Sequence, residues 1–178
     1  PLYLYTNFSG YCDIVIAGAG LLGIRLPENF DRPYLSRNML DFWTRWHRTL
    51  GFWIRDYLFM PLYKVIAERS PRRAPSLAFA CYFVAFVMVG VWHGSTSNFL
   101  VFGLLHGVGA SAAKLWEMYL TKKWGRPFLK RYLQSPWIRV AAIVAALHYV
   151  ALSTLFFPGT LDQCLKPIKV LASALWPR

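Results

Sequence analysis

Long apolar stretches separated by short polar or basic segments make up most of the chain. The first stretch, Leu4–Ile24, has the ~20 residues that an α-helix needs to cross a bilayer. It contains Asp13 and several glycines, and small residues of this kind are typical of closely packed membrane helices. Pro27 and Pro33 then frame a polar segment, which predicts a surface loop and a change of chain direction.

An amphipathic pattern runs from Met39 to Met60. Tryptophans and other apolar residues recur at spacings of three and four, whereas the charged residues gather on another face, as in a helix with one apolar side. Tryptophan and arginine together suit the headgroup zone of a bilayer, and Pro61 disfavours continuation of the helix. The pattern therefore predicts one amphipathic interfacial helix over this range.

The second half of the chain contains three further apolar runs, at 77–92, 99–113 and 138–157. The first two are shorter than the ~20 residues of a full span, so the polar break at 93–98 is expected to lie at membrane depth. The tail at 161–176 is expected to be a short interfacial helix. Together these runs predict an all-α, polytopic membrane protein with about four membrane helices.

Composition supports membrane insertion. Hydrophobic residues make up 56% of the chain and charged residues 16%, whereas soluble domains average about 25% charged residues. The net charge of +12 comes from basic residues between the apolar runs, where the positive-inside rule and anionic lipid headgroups account for them. We therefore predict membrane lipid as a partner, no binding of nucleic acid, and two cytoplasmic basic loops at 64–73 and 114–139.

Cysteine and histidine spacing does not favour a metal site. The three cysteines are far apart, which predicts neither a disulfide framework nor a zinc site, and no His-x-x-x-His pair occurs. The chain opens at Pro1 without an initiator methionine or a cleavable leader. We expect residues 1–178 to be a single membrane-embedded unit from the C-terminal part of a longer polytopic protein.

Two histidines stand in positions that favour chemistry. His93 lies in the predicted intramembrane break, where ionisable groups usually have a function. Gly94 permits close backbone approach there, and Ser95 to Asn98 offer polar partners. The alternative for His93 is an inert polar cap at a helix break. For His47, on the amphipathic helix, the pattern alone favours an interfacial histidine. His106 is expected to be a packing residue, and neither it nor His148 is expected to be catalytic.

Several motifs resemble those of the membrane-bound O-acyltransferase (MBOAT) family. They are Phe8-Ser9-Gly10-Tyr11, Pro27-Glu28-Asn29-Phe30, Asp41-Phe42-Trp43 through Trp46-His47, Arg55-Asp56-Tyr57-Leu58 and Trp92-His93-Gly94. The resemblance runs from about Tyr5 to about Leu115 and is closest to the bacterial branches that acetylate alginate and related polysaccharides or export D-alanine onto teichoic acid. Asn7 and Cys12 depart from the usual pattern of these motifs.

The resemblance implies an integral-membrane O-acyltransferase of the bacterial plasma membrane. Such a protein moves a short acyl group, acetyl in the first instance, from a cytoplasmic thioester such as acetyl-CoA or an acyl carrier, with no bound cofactor. The acceptor is a hydroxyl of a cell-surface glycan or an extracytoplasmic acyl-relay protein. A D-alanyl group passing toward teichoic acid is the alternative.

By the same resemblance, His93 matches the family's catalytic histidine and His47 matches a second polar residue that binds or orients substrate. Histidine titrates near neutrality and can take the proton of an attacking hydroxyl, so His93 is the expected general base. We expect His47 and His93 to face one chamber, and we expect Trp46, Trp92, Ser95 and Asn98 to contact substrate.

Two readings from other classes stay open at the sequence level. In the first, the protein is a non-catalytic membrane scaffold or transport component whose histidines only satisfy broken helices. In the second, it binds anionic lipid through Arg45, Arg48 and Arg55. Substitution of His93 separates both from the acyltransferase.

Overall fold

The computed structural model describes residues 1–157 and 159–175, and all regular structure within them is helical. The α-helices are α1 (Leu2–Leu21), α2 (Met39–Arg45), α3 (Arg48–Ile54), α4 (Met60–Arg69), α5 (Ala74–His93), α6 (Ser97–Gln134), α7 (Pro136–Ser153) and α8 (Leu161–Leu175). Two short 3-10 helices, Pro33–Leu35 and Thr154–Phe156, and a π-helix, Arg55–Phe59, complete the described part. The prediction of an all-helical protein is confirmed.

Helix α1 forms where the first apolar stretch predicted it, but its glycines do not pack as expected. Ideal Cβ atoms built at Gly10, Gly18 and Gly20 have no other atom within 4 Å, and α1 contains no buried residue. Asp13 is exposed and forms no ion pair with another described residue. The expected close packing of these glycines is therefore wrong for the described part of the chain, and Asp13 has no paired charge there.

Aromatic rings attach the N-terminal half of α1 to the rest of the protein. Tyr5 packs edge-on against Phe30 and Tyr34, with ring centroids 5.5 and 5.4 Å apart. Phe8 packs edge-on against Phe30 at 5.2 Å. The polar loop after α1 thus folds back onto the helix, as the two prolines predicted.

The range from Met39 to Met60 is not one continuous helix, which corrects the expectation. The chain breaks between α2 and α3, and His47 adopts the left-handed conformation (φ 44°, ψ 53°). The preceding loop replaces the lost helical hydrogen bonds, since the amide of Arg48 donates to the carbonyl of Asn29 (2.9 Å) and that of Asp31 donates to Arg45 (2.9 Å). Pro61 lies in the first turn of α4, where its missing N–H is not needed, so it does not end the helical segment.

Helices α5 and α6 form a tight antiparallel hairpin around the turn at residues 94–96. A Cβ added at Gly90 would collide with the backbone of Phe99, and one added at Gly103 would collide with the backbone of Phe86. Close backbone approach between small residues is the usual way in which membrane helices pack. Gly90 and Gly103, rather than the glycines of α1, have that role here.

Helix α6 continues through the sequence that was expected to be a second basic loop, so that expectation is wrong. The helix reaches Gln134, with a kink at Gly125 (φ 79°). Lysine and arginine are good helix formers, and Leu120 in this basic segment is buried. Leu120 is thus a buried apolar position in a segment whose exposed surface carries both basic side chains and aromatic rings such as Trp116 and Trp124.

Within the described residues, two helices are long and apolar enough to cross a membrane, Ser97–Gln134 and Pro136–Phe156, and Leu77–His93 is a shorter apolar helix. The predicted apolar run at 138–157 forms a helix with the length and composition of a membrane span, but the count of about four spans is not confirmed. The predicted tail helix forms over Leu161–Leu175. Trp176, the last residue of that prediction, lies outside the described residues.

A small core joins four helices. Met39 and Phe42 of α2 meet Phe86 and Val89 of α5, Ala110 of α6 and Val150 of α7, and each of these is at least 92% buried. The core fixes the α2–α3 junction against one end of the α5–α6 hairpin. That junction carries His47, and the end of the hairpin carries His93.

Candidate functional site

A cavity of about 240 Å³ lies between the start of α1, the α2–α3 junction, the α5–α6 hairpin and the end of α7. Most of its wall is aromatic. The lining side chains include Phe8, Tyr34, Phe42, Trp43, Trp46, His47, Trp92, His93, Phe102, His106 and Phe157. His47 and His93, which are 46 positions apart in sequence, therefore share one chamber, as expected.

The hydrogen bonds around His47 determine its tautomer. Its Nδ1 lies 3.0 Å from Oδ1 of Asn29, and that same oxygen accepts from the amide of Thr49 at 3.2 Å and from its hydroxyl at 2.9 Å. A backbone N–H can only donate, so the atom of Asn29 facing it is the oxygen rather than the amide nitrogen. His47 must then donate from Nδ1, which leaves the lone pair of Nε2 available.

Burial favours the neutral form of His47. The side chain is largely withdrawn from solvent, and this desolvation lowers the pKa of His47 below its ordinary value of 6.5. The charged imidazolium loses more solvation than the neutral ring does. At neutral pH, His47 is therefore an imidazole whose Nε2 can accept a hydrogen bond or a proton.

His93 is enclosed by rings rather than by polar groups. Its ring centroid lies 4.9 Å from that of Phe157, 5.8 Å from Phe102 and 6.1 Å from Phe99. The imidazole forms no hydrogen bond with any other described residue. Both ring nitrogens are thus unengaged by the described protein groups, and the polar partners expected from residues 95–98 do not contact them.

The predicted substrate-contacting residues divide into two pairs. Trp46 and Trp92 line the cavity, and the indole of Trp92 lies 6.1 Å from His47 and 4.8 Å from His93. Ser95 is exposed and Asn98 is fully buried, and neither lines the cavity.

Asn98 has a structural contact instead. Its amide Nδ2 donates to the carbonyl of Phe156 at 3.1 Å, which ties the start of α6 to the 3-10 turn after α7. The position of Ser95 and Asn98 therefore does not support the expectation that they contact substrate.

His106 lines the same cavity, although the sequence indicated only a packing residue. The side chain is 1% exposed. Trp43 donates from Nε1 to its Nδ1 at 3.1 Å, so Nδ1 is unprotonated and Nε2 carries the proton. Nε2 then donates to the Ser153 hydroxyl at 3.0 Å, which donates onward to the carbonyl of Val150 at 2.9 Å. The one sequence feature that could have indicated a role for His106 in the cavity is its position in Leu105-His106-Gly107, an ionisable residue within an apolar run.

His47 also borders a second cleft of about 320 Å³ on its far side. This cleft is lined by Phe8, Tyr11 and Cys12 of α1 and by Asn29 and Thr49. His47 therefore separates two cavities, with its Asn29 bond on the side of the cleft. Among the described residues, no group of three or more histidine, cysteine, aspartate or glutamate side chains is arranged to hold a metal ion.

Comparison with known proteins gives a consistent family. The model of the membrane-bound O-acyltransferase family matches residues 1–157. The chain is 33% identical, over 89% of its length, to the teichoic acid D-alanyltransferase of Bacillus subtilis, and 32% identical, over 93% of its length, to the peptidoglycan O-acetyltransferase of Helicobacter pylori. It is 35% identical, over 62% of its length, to a probable alginate O-acetylase of Pseudomonas fluorescens. The matches cover 39%, 29% and 21% of those relatives.

Proposed function

Because this chain belongs to the membrane-bound O-acyltransferase family, we propose that the protein containing it transfers a short acyl group from a thioester to a hydroxyl of an extracytoplasmic polymer. The observation that supports this proposal is the aromatic cavity into which two distant segments bring His47 and His93. A neutral imidazole in a site with few polar groups can accept a proton from an attacking hydroxyl. The aromatic wall excludes water that would otherwise hydrolyse the donor.

The proposed reaction is a direct acyl transfer. The hydroxyl oxygen of the acceptor forms a bond to the acyl carbonyl carbon, and its proton passes to His93. The bond between that carbon and the thioester sulfur breaks, and the leaving thiolate takes the proton from the His93 imidazolium. His47 accepts a hydrogen bond at Nε2 from a neighbouring hydroxyl of the acceptor and so orients it, while Trp46 and Trp92 contact the substrate.

Acetyl is the first candidate for the transferred group, and D-alanyl is the second. The relatives named as O-acetyltransferases act on peptidoglycan and alginate. The D-alanyl alternative is supported by the teichoic acid D-alanyltransferases, which match 89% and 90% of this chain. A hydroxyl acceptor and a thioester donor, from acetyl-CoA or an acyl carrier, are common to both candidates. The same cavity residues therefore serve either group.

Mass spectrometry of alkali-labile acyl groups on surface polymers tests the proposal. Cells carrying the full-length protein are compared with cells carrying His93→Ala or His47→Ala at equal protein level. His148→Ala is the matched control, because His148 is an exposed histidine that bonds only to the carbonyl of Val144 in its own helix.

With His93→Ala, we expect the amount of one ester to fall at least about a hundredfold, since general base catalysis accelerates a reaction by about that factor or more. The mass of the ester identifies the acyl group. Esters unchanged by both cavity substitutions would overturn the proposal and favour a scaffold or transport role.

A further inference from the structure

We propose that Asn29 is a positioning residue of the acyl-transfer site, which holds His47 in the one tautomer whose bare Nε2 is presented to the cavity. This inference rests on the proposed function. It concerns a residue in the loop between α1 and α2, 18 positions from His47 in sequence. Asn29 does not line the catalytic cavity itself and acts only through His47.

The contacts of Asn29 leave its side chain little freedom. Oδ1 accepts from His47 Nδ1 and from both the amide and the hydroxyl of Thr49. Nδ2 donates to Sγ of Cys12 on α1 at 3.4 Å, and the Asn29 carbonyl accepts from the amide of Arg48 at 2.9 Å. With donors on one side and an acceptor on the other, the amide has a single orientation. Its oxygen is therefore always directed toward the imidazole.

The backbone of His47 makes this support necessary. The residue occupies the left-handed region (φ 44°), which few residues other than glycine adopt, although histidine, like asparagine and aspartate, is found there more often than most. Neither α2 nor α3 therefore sets the direction of the ring by regular helical geometry. Two contacts hold the ring in place instead. One is the hydrogen bond to Asn29, and the other is the ring of Phe8, whose centroid lies 4.9 Å from that of the imidazole.

A purely structural role for Asn29 must be distinguished from positioning. Its oxygen also satisfies the amide of Thr49 in the first turn of α3, as an N-cap side chain would. Aspartate at this position keeps an acceptor for Thr49 and for Nδ1 of His47, but adds a negative charge beside the imidazole. Asn29→Asp therefore preserves the cap and the acceptor for His47, adds the charge, and loses the Nδ2 donor to Cys12, whereas Asn29→Ala removes all of these side-chain contacts.

The pH dependence of acyl transfer separates the two roles. A carboxylate next to an imidazole favours the imidazolium and raises its pKa by about one unit or more. Because the site needs the unprotonated Nε2, activity is lost as pH falls through the pKa of His47. The titratable or charged side chains lining either cavity beside His47, or next to it in sequence, are Tyr11, Cys12, Tyr34, Arg48, His93 and His106. None of these changes in the comparison.

The experiment uses the full-length protein in membranes and measures ester formation from pH 5 to pH 9, a range set around the ordinary histidine pKa of about 6.5. For Asn29→Asp we expect near wild-type activity at alkaline pH. The acidic limb, which is the part of the pH profile where activity falls with decreasing pH, should shift to higher pH by about one unit or more. For Asn29→Ala we expect activity lowered by about tenfold at every pH, the value of one hydrogen bond. Thr49→Val removes only the hydroxyl that donates to Asn29, and Cys12→Ala removes only the sulfur that accepts from its Nδ2. Both variants should leave the limb in place.

A second readout does not depend on activity. In protein labelled with 15N-histidine, the signal that disappears in His47→Gln should report a neutral ring protonated at Nδ1. A ring protonated at Nε2, or an acidic limb unmoved in Asn29→Asp, would overturn the positioning role. If the wild-type protein forms no ester at all, the proposed function fails instead, and the labelled spectrum still tests the contact with Asn29.

Discussion

Two histidines in the wall of the cavity have opposite tautomers, and neighbouring side chains fix each of them. His47 donates from Nδ1 to Asn29 and leaves Nε2 bare. His106 accepts at Nδ1 from Trp43 and donates from Nε2 to Ser153. A bare nitrogen directed at a cavity suits proton transfer, whereas a ring with both nitrogens bonded suits a structural link. The same type of side chain therefore presents a free acceptor at one position and has both ring nitrogens bonded at the other.

The link through His106 predicts a loss of stability when either partner is removed. Trp43→Phe leaves Nδ1 without its donor, and Ser153→Ala leaves the Nε2–H without its acceptor. Because His106 is buried, each substitution should lower the free energy of unfolding by about 1–3 kcal/mol. Thermal unfolding in detergent measures this. Thr121→Val, which removes a hydroxyl bonded only to the Glu117 carbonyl of its own helix, is the control.

The double variant makes the prediction stricter. If Trp43 and Ser153 act through one ring, their effects should not add, because the first loss already frees the imidazole. Strictly additive effects would contradict a shared link through His106.

At the level of elements, the α5–α6 hairpin sets the position of His93. The two helices approach so closely at Gly90 and Gly103 that their backbones touch the opposite helix. His93 is the last residue of α5, and the turn at 94–96 follows directly. Gly94 lies against the ring of Phe99, since a Cβ placed there would be 2.5 Å from Cε2 of that ring. A change in the distance between α5 and α6 would therefore change the position of the His93 imidazole in the cavity.

Gly103→Ala tests this packing. The added methyl group meets the backbone of Phe86, which cannot rotate away as a side chain can, so we expect destabilisation of about 1–3 kcal/mol and loss of ester formation. The matched control is Gly107→Ala in the same helix. Its Cβ would meet the ring of Phe83 at 3.2 Å, and that ring can shift, so a smaller effect is expected. Equal effects at the two positions would argue against a backbone contact as the cause.

At the level of the whole molecule, chemistry and charge lie at opposite ends of the α5–α6 hairpin. His93 and the cavity lie at the end where the chain turns. Arg72 and Arg73 precede α5, and the lysines and arginines from Lys114 to Arg131 belong to the far part of α6. Since the two helices are antiparallel, both basic segments lie at the other end. The two predicted basic regions thus share one end. Neither is a simple loop, because α4 extends to Arg69 within the first and α6 extends to Gln134 within the second.

This asymmetry predicts the orientation in the membrane. Basic residues near span ends are retained in the cytoplasm, so a cysteine introduced at Lys123 of the full-length protein should react with a membrane-impermeant maleimide only after the cells are permeabilised. The background variant lacks Cys12, Cys81 and Cys164. Arg72→Cys, on the other basic segment, should behave identically. Labelling of either cysteine in intact cells would reverse the predicted orientation.

The amino-acid sequence by itself determined the helical architecture, the polar loop after α1, the family, and His47 and His93 as residues of one cavity. These depend on local properties, namely the length of apolar runs, the placement of prolines and the short motifs around each Trp-His pair. The sequence does not predict the helix break at Trp46-His47, because the amphipathic period continues across these residues. The sequence predicts a loop where α6 continues, because a cluster of basic residues indicates an exposed segment, whereas lysine and arginine also favour helix.

Only the tertiary structure decided how the site is assembled. The bond of His47 to Asn29 spans 18 positions, and those of His106 to Trp43 and Ser153 span 63 and 47 positions. Such contacts depend on which helices pack together, and no local pattern encodes them. Packing also placed the close glycine contacts at Gly90 and Gly103 rather than in α1. A glycine allows close approach only where a second backbone is present, and that is a property of the fold rather than of the residue.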